Sequence, residues 1–173
     1  MKSTAPLAFA GVLIMAIAPS AEASEVGTSA HKFGLGLVFG SPTGLTGKYY
    51  PTGRSNAIEG TLAVSPGYHG GPGGGIYLHG VYQWHPDLLA TEPGFELPWH
   101  VGVGGFVADD YDTWWRDWRG GTAFGVRGLV GMDFDLEDLR LQISGNLALN
   151  LGIHSSWGVF YDPGIGISTR YFF

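Results

Sequence analysis

The chain contains no cysteine, which removes disulfides and thiolate metal sites from consideration. Charge is scarce too: Asp, Glu, Lys and Arg make up 14% of 173 residues, against about one quarter in ordinary soluble domains. No apolar run after residue 24 reaches the roughly 18 residues of a membrane-crossing helix. The 30 glycines follow no G-X-Y order, so collagen is excluded. A formal charge of −6 and a pI near 5.3 leave no basic surface for phosphates, which argues against a nucleic-acid partner.

What is present begins with MKSTAPLAFAGVLIMAIAPSAEAS: Lys2, an apolar stretch from Leu7 to Ala18, then Ala21-Glu22-Ala23 as a small-x-small cleavage site. This reads as a signal peptide over 1–23, leaving 24–173 as one domain. From His31 onward the chain alternates apolar with small or polar residues at period two, interrupted by Gly, Pro, Asn and Asp clusters. The clearest stretch sets Leu139, Leu141, Ile143, Leu147 and Leu149 against Arg140, Gln142, Ser144, Asn146 and Asn150. Strands are expected at 32–40, 44–50, 57–65, 75–85, 98–108, 122–134, 139–150 and 164–173.

Strands of this length and even number predict an all-β fold, an eight-stranded antiparallel up-and-down transmembrane β-barrel. A soluble barrel has the same alternation, but three features oppose it. The apolar faces lack charged residues to guard strand edges, the other faces are rich in Gly, Ser, Thr and Asn, and aromatics such as Tyr49, Trp84, Trp99 and Tyr171 gather near strand ends.

The ending Ile165, Ile167, Thr169, Tyr171, Phe173 is similar to the assembly signal of bacterial outer-membrane barrels. Through GLGLVFGSPTGLTGKYY, GVGG, GVRGLVG and GIGISTRYFF, residues 33–173 resemble the small OmpA/OmpX-like barrels. The resemblance implies location in a bacterial outer membrane, contact with its lipids and insertion by the barrel-assembly machinery. It implies no reaction and no cofactor.

The inner faces are expected to hold a polar network of Lys48, Glu59, Arg127, Asp133, Arg140 and Arg170. A symmetric turn over 51–56 sets Lys48 opposite Glu59 and Thr46 opposite Thr61. A turn centred between Leu136 and Glu137 sets Asp133 opposite Arg140. Such charges form either a structural plug or the lining of a narrow passive pore; eight strands leave an interior about filled by side chains, which favours the plug. His79 and His85 share a face and His100 could approach them, but HxH and HExxH spacings are absent. Hydrogen-bonded histidines and no metal are therefore expected. A lipid-modifying enzyme would need a nucleophile, a base and an acid together. His154, Ser156 and Asp162 are the compact candidates, without a recognisable deacylase motif, so no catalytic residue is assigned.

The segment ADDYDTWWRDWRGG carries three of the six tryptophans. Trp114, Trp115 and Trp118 would share a surface only on a helical turn over about 112–118, started by Asp109, Asp110 and Asp112 and ended by Arg116 and Arg119. They would serve as an interfacial girdle or meet an extracellular ligand. The 86–97 connection, PDLLATEPGFEL, is long for a periplasmic turn.

Overall fold

The computed structural model describes residues 31–64, 75–109, 121–156 and 158–173. The signal-peptide region 1–23 and the tryptophan segment with its expected helical turn lie outside the described residues. Eight strands form one closed antiparallel barrel: β1 (Phe33–Gly40), β2 (Thr43–Tyr49), β3 (Asn56–Val64), β4 (Ile76–Glu92), β5 (Phe95–Asp109), β6 (Thr122–Leu136), β7 (Leu141–His154) and β8 (Gly158–Phe172). Each pairs with its neighbours in sequence, and β1 pairs with β8, from Gly34↔Phe172 to Gly40↔Gly166, to close the wall. Closure leaves no strand edge along the seam.

The period-two alternation sorts side chains between the two surfaces. Outward positions carry exposed Leu37, Leu45, Ile58, Leu78, Val126 and Leu147, among many others. Along the body of the described strands no outward position carries Lys, Arg, Asp or Glu; Asp87 sits at a bulge, and Glu92 and Asp109 at strand ends. Inward positions hold Lys48, Glu59, Gln83, Asp133, Gln142 and Arg170, all buried. Polarity is thus inverted relative to a water-soluble barrel.

Three small apolar clusters divide the interior. Tyr50, Ala57 and Phe172 fill the mouth near the chain ends, Val81, Leu129 and Ala148 lie at mid-height, and Ala63, Tyr77, Phe106, Ala108, Ala123 and Phe160 fill the other mouth. Tyr77 stacks on Phe106 with ring centroids 5.8 Å apart, and Phe160 meets Phe106 edge-on.

Two expectations about connections are corrected. The 86–97 segment is not a loop: β4 and β5 continue through it to a turn at Pro93–Gly94, with register shifts between Trp84 and Asp87 and between Leu88 and Ala90. Bulges insert residues that break the alternation, so the period-two pattern fades there. Likewise β7 runs past 150 to His154 and β8 begins before 164, at Gly158. Pro163 is tolerated within β8 because it pairs with Leu149 on one side only, beyond the last β1 partner at Gly166.

Candidate functional site

The expected register of the β2–β3 hairpin is observed: Lys48 faces Glu59 and Thr46 faces Thr61. The ion pairs, however, run across the lumen and not along the hairpin. Lys48 Nζ donates to Asp133 Oδ2 at 2.6 Å, linking β2 to β6, and Arg170 Nη2 donates to Glu59 Oε2 at 2.7 Å, linking β8 to β3. In so narrow a barrel, the facing wall is within reach of a long side chain.

Arg170 is the hub of the larger network. Its guanidinium also donates to Ser144 Oγ at 2.8 Å, Gln142 Oε1 at 3.2 Å and Thr46 Oγ1 at 3.1 Å. Gln83 Nε2 donates to the same Glu59 oxygen at 2.9 Å, and His79 stands 3.8 Å from the other. Five strands therefore meet at one buried carboxylate–guanidinium pair. Breaking such a pair by removing one partner costs about 3–5 kcal/mol, because the other charge is left buried alone.

Arg127 belongs to a separate layer, donating to Asn150 Oδ1 at 2.9 Å and reaching Tyr77 Oη at 3.4 Å. Arg140 leaves the expected network. The closing pair of the β6–β7 hairpin is Leu136↔Leu141, so Asp133 faces Ser144. Arg140 instead occupies the turn, exposed, with φ 53°. The displacement is even in residue number, so the inner face of β7 stays inward while Arg140 drops off its end.

A second centre gathers around Asp133. His85 Nε2 lies 3.2 Å and His100 Nδ1 3.4 Å from Asp133 Oδ2, while His100 Nε2 is 2.7 Å from Asn146 Oδ1. The two imidazole rings are 5.2 Å apart between centroids. The β4–β5 pairing through the bulge brings His85 and His100 together, which spacing along the chain did not establish. Gly131 makes room for this arrangement, since a methyl group there would overlap Asn146 Oδ1 and stand 2.7 Å from His100 Nε2.

A third group closes the mouth near the chain ends. Arg54, from the β2–β3 turn, reaches over to Glu96 on β5 and to Asp135 Oδ2 on β6 at 2.5 Å. Gln142 Nε2 joins Asp135 to the Tyr50 hydroxyl. The sequence reading missed Arg54, Glu96 and Asp135. Arg54 sits in a connection, where alternation carries no signal, and the two acids pair with it from strands far away in the chain.

The candidate hydrolytic residues are arranged as follows. The Ser156 backbone N–H donates to His154 Nδ1 at 3.2 Å. His154 pairs with Gly158, whereas Asp162 pairs with Asn150, four residues along each strand. Four residues of strand span about 13 Å, so the acid is not beside the imidazole. Among the residues resembling an assembly signal, Ile165, Ile167, Tyr171 and Phe173 are exposed outward, with Thr169 on the same face.

No protein-family model, curated protein or solved structure matches the chain. The eight-stranded antiparallel barrel is compatible with the OmpA/OmpX-like architecture that the sequence resembles.

Proposed function

We propose that this chain is an integral barrel of a bacterial outer membrane, serving envelope structure or surface interaction and not catalysis or solute passage. The inverted polarity of the wall carries the reading: exposed Leu, Ile, Val and aromatic side chains outside, charged and amide side chains inside. A soluble monomer seldom exposes a contiguous apolar patch of more than a few hundred Å². Against hydrocarbon the same surface is favourable, and a closed barrel satisfies its backbone without water.

The interior supports the non-conducting reading. Lys48, Gln83, Asp133 and Ser144 are 0% exposed, so side chains rather than solvent occupy the middle of the lumen. With the chain ends on the periplasmic side, the turns at 51–55, Pro93–Gly94 and 137–140 face the periplasm. The β5–β6 connection, with Trp114, Trp115 and Trp118, then faces outward, where an extracellular ligand would meet it. Assembly by the insertion machinery would read the outward face of β8.

Membrane fractionation combined with gel migration of unboiled and boiled samples tests this reading. The chain is expected in the outer membrane, with a folded form whose mobility changes on boiling. Recovery in the soluble periplasm with identical migration would overturn the proposal.

A further inference from the structure

Two imidazole nitrogens, each able to offer a lone pair, converge on the Asp133 carboxylate. His100 Nε2 lies 2.7 Å from Asn146 Oδ1, and in the tautomer that donates this bond Nδ1 presents its lone pair toward Asp133 Oδ2, 3.4 Å away. His85 Nε2 lies 3.2 Å from the same oxygen and 3.3 Å from Lys48 Nζ, from which it can accept. His100 Nδ1, His85 Nδ1 and Asp133 Oδ1 are buried without a hydrogen-bond partner. Two imidazole nitrogens that can each offer a lone pair and a carboxylate suit a cation, and the Lys48 ammonium, 2.6 Å from Asp133 Oδ2 and 3.3 Å from His85 Nε2, now supplies the positive charge.

We propose that His85, His100 and Asp133 form a binding site for a divalent metal of the zinc class, which the Lys48 ammonium occupies in the ion's stead and yields on binding. Spacing supports this assignment. One ligand atom from each of the three residues lies within 4.8 Å of the others. Ligands held about 2.0–2.1 Å from a tetrahedral ion stand about 3.4 Å apart, and the two distances from Asp133 Oδ2 are 3.2 and 3.4 Å. Two imidazoles and one carboxylate suit zinc, cobalt or nickel; calcium and magnesium prefer all-oxygen shells.

The surroundings suit such an exchange. The Asn146 contact holds the orientation of His100, and by accepting from Nε2–H it would leave Nδ1 to the ion, as outer hydrogen bonds commonly do for metal-binding histidines. Lys48 has alternative partners when it withdraws: Glu59 stands opposite it in the register, and the Tyr50 ring centroid is 5.3 Å from its Nζ. Removing the lysine charge should therefore tighten metal binding while removing either histidine abolishes it.

The test titrates the folded full chain with Co²⁺, read by its visible ligand-field absorption. Wild type is expected to show one saturable site, bleached by Zn²⁺, unaffected by excess Ca²⁺ and lost in His100→Ala. Lys48→Met should bind Co²⁺ at least about tenfold more tightly, since a like charge a few ångströms away opposes a buried cation. Should Lys48→Met fold only when Co²⁺ is present during refolding, the metal has replaced the missing charge, which also supports the proposal. Should it fold under neither condition, the wild-type titration against His100→Ala decides. A saturable band absent from wild type, a band surviving in His100→Ala, or a folded Lys48→Met that binds no more tightly would each overturn the proposal.

Discussion

At the scale of single residues, glycine has opposite meanings on the two surfaces of the wall. A Cβ at Gly131 would meet Asn146 Oδ1, the Gly145 backbone oxygen at 2.6 Å and His100 Nε2 at 2.7 Å, so only hydrogen fits. A Cβ at Gly80, on the outer surface, would meet nothing within 4 Å. Gly131→Ala is therefore expected to destabilise the barrel by about 1–3 kcal/mol through overpacking. Gly80→Ala is expected to be neutral or to stabilise by up to about 1 kcal/mol, through lower entropy of the unfolded chain. Denaturant titration of the folded protein measures both, and a destabilised Gly80→Ala beside an unaffected Gly131→Ala would show that the packing around His100 is misassigned. Lys48, Glu59, Arg127, Asp133 and Arg170 were legible individually, because charge on the polar face of an alternating strand has nowhere to point but inward. Their partners were not: Lys48 bonds to Asp133, 85 residues away, while its register neighbour Glu59 bonds to Arg170.

Strands were more legible than the connections between them. Face assignment needs only parity, and Ile58, Leu62 and Val64 point outward against Glu59, Thr61 and Ala63 as the sequence indicates. Turn centres are not encoded in alternation, which is why Arg140 was placed opposite Asp133 when it stands in the turn. Bulges hid the far ends of β4 and β5 and with them the meeting of His85 and His100. In β8 the two faces separate two tasks. Phe172 packs inward with Tyr50 and Ala57, while Tyr171 and Phe173 touch each other edge-on outside, 5.2 Å between centroids. The backbone N–H of Phe173 donates to Phe33 O at 2.9 Å, completing the β1–β8 seam without its side chain. The double change Tyr171→Ser, Phe173→Ser should accordingly lower assembly in cells, where the outward aromatics resemble a recognised signal. The purified double variant should still refold in detergent. Unchanged assembly in cells would remove the signal role from these residues, and failure in detergent as well would assign them to barrel closure.

For the whole molecule, inner and outer surfaces make different demands on solvent. The outer wall offers hydrocarbon side chains and no charge along the strand bodies, while the interior satisfies its charges by bonds across the lumen. An arginine placed on the outside therefore reads the solvent directly. Leu62 lies outward within β3 and is 51% exposed, whereas Leu139, 61% exposed, sits in the β6–β7 turn. The decisive measurement is the unfolding free energy of Leu62→Arg and Leu139→Arg in lipid bilayers. If the wall faces hydrocarbon, Leu62→Arg should cost about 2–4 kcal/mol and Leu139→Arg no more than about 1 kcal/mol. Equal and negligible costs at both positions would contradict a membrane-embedded wall.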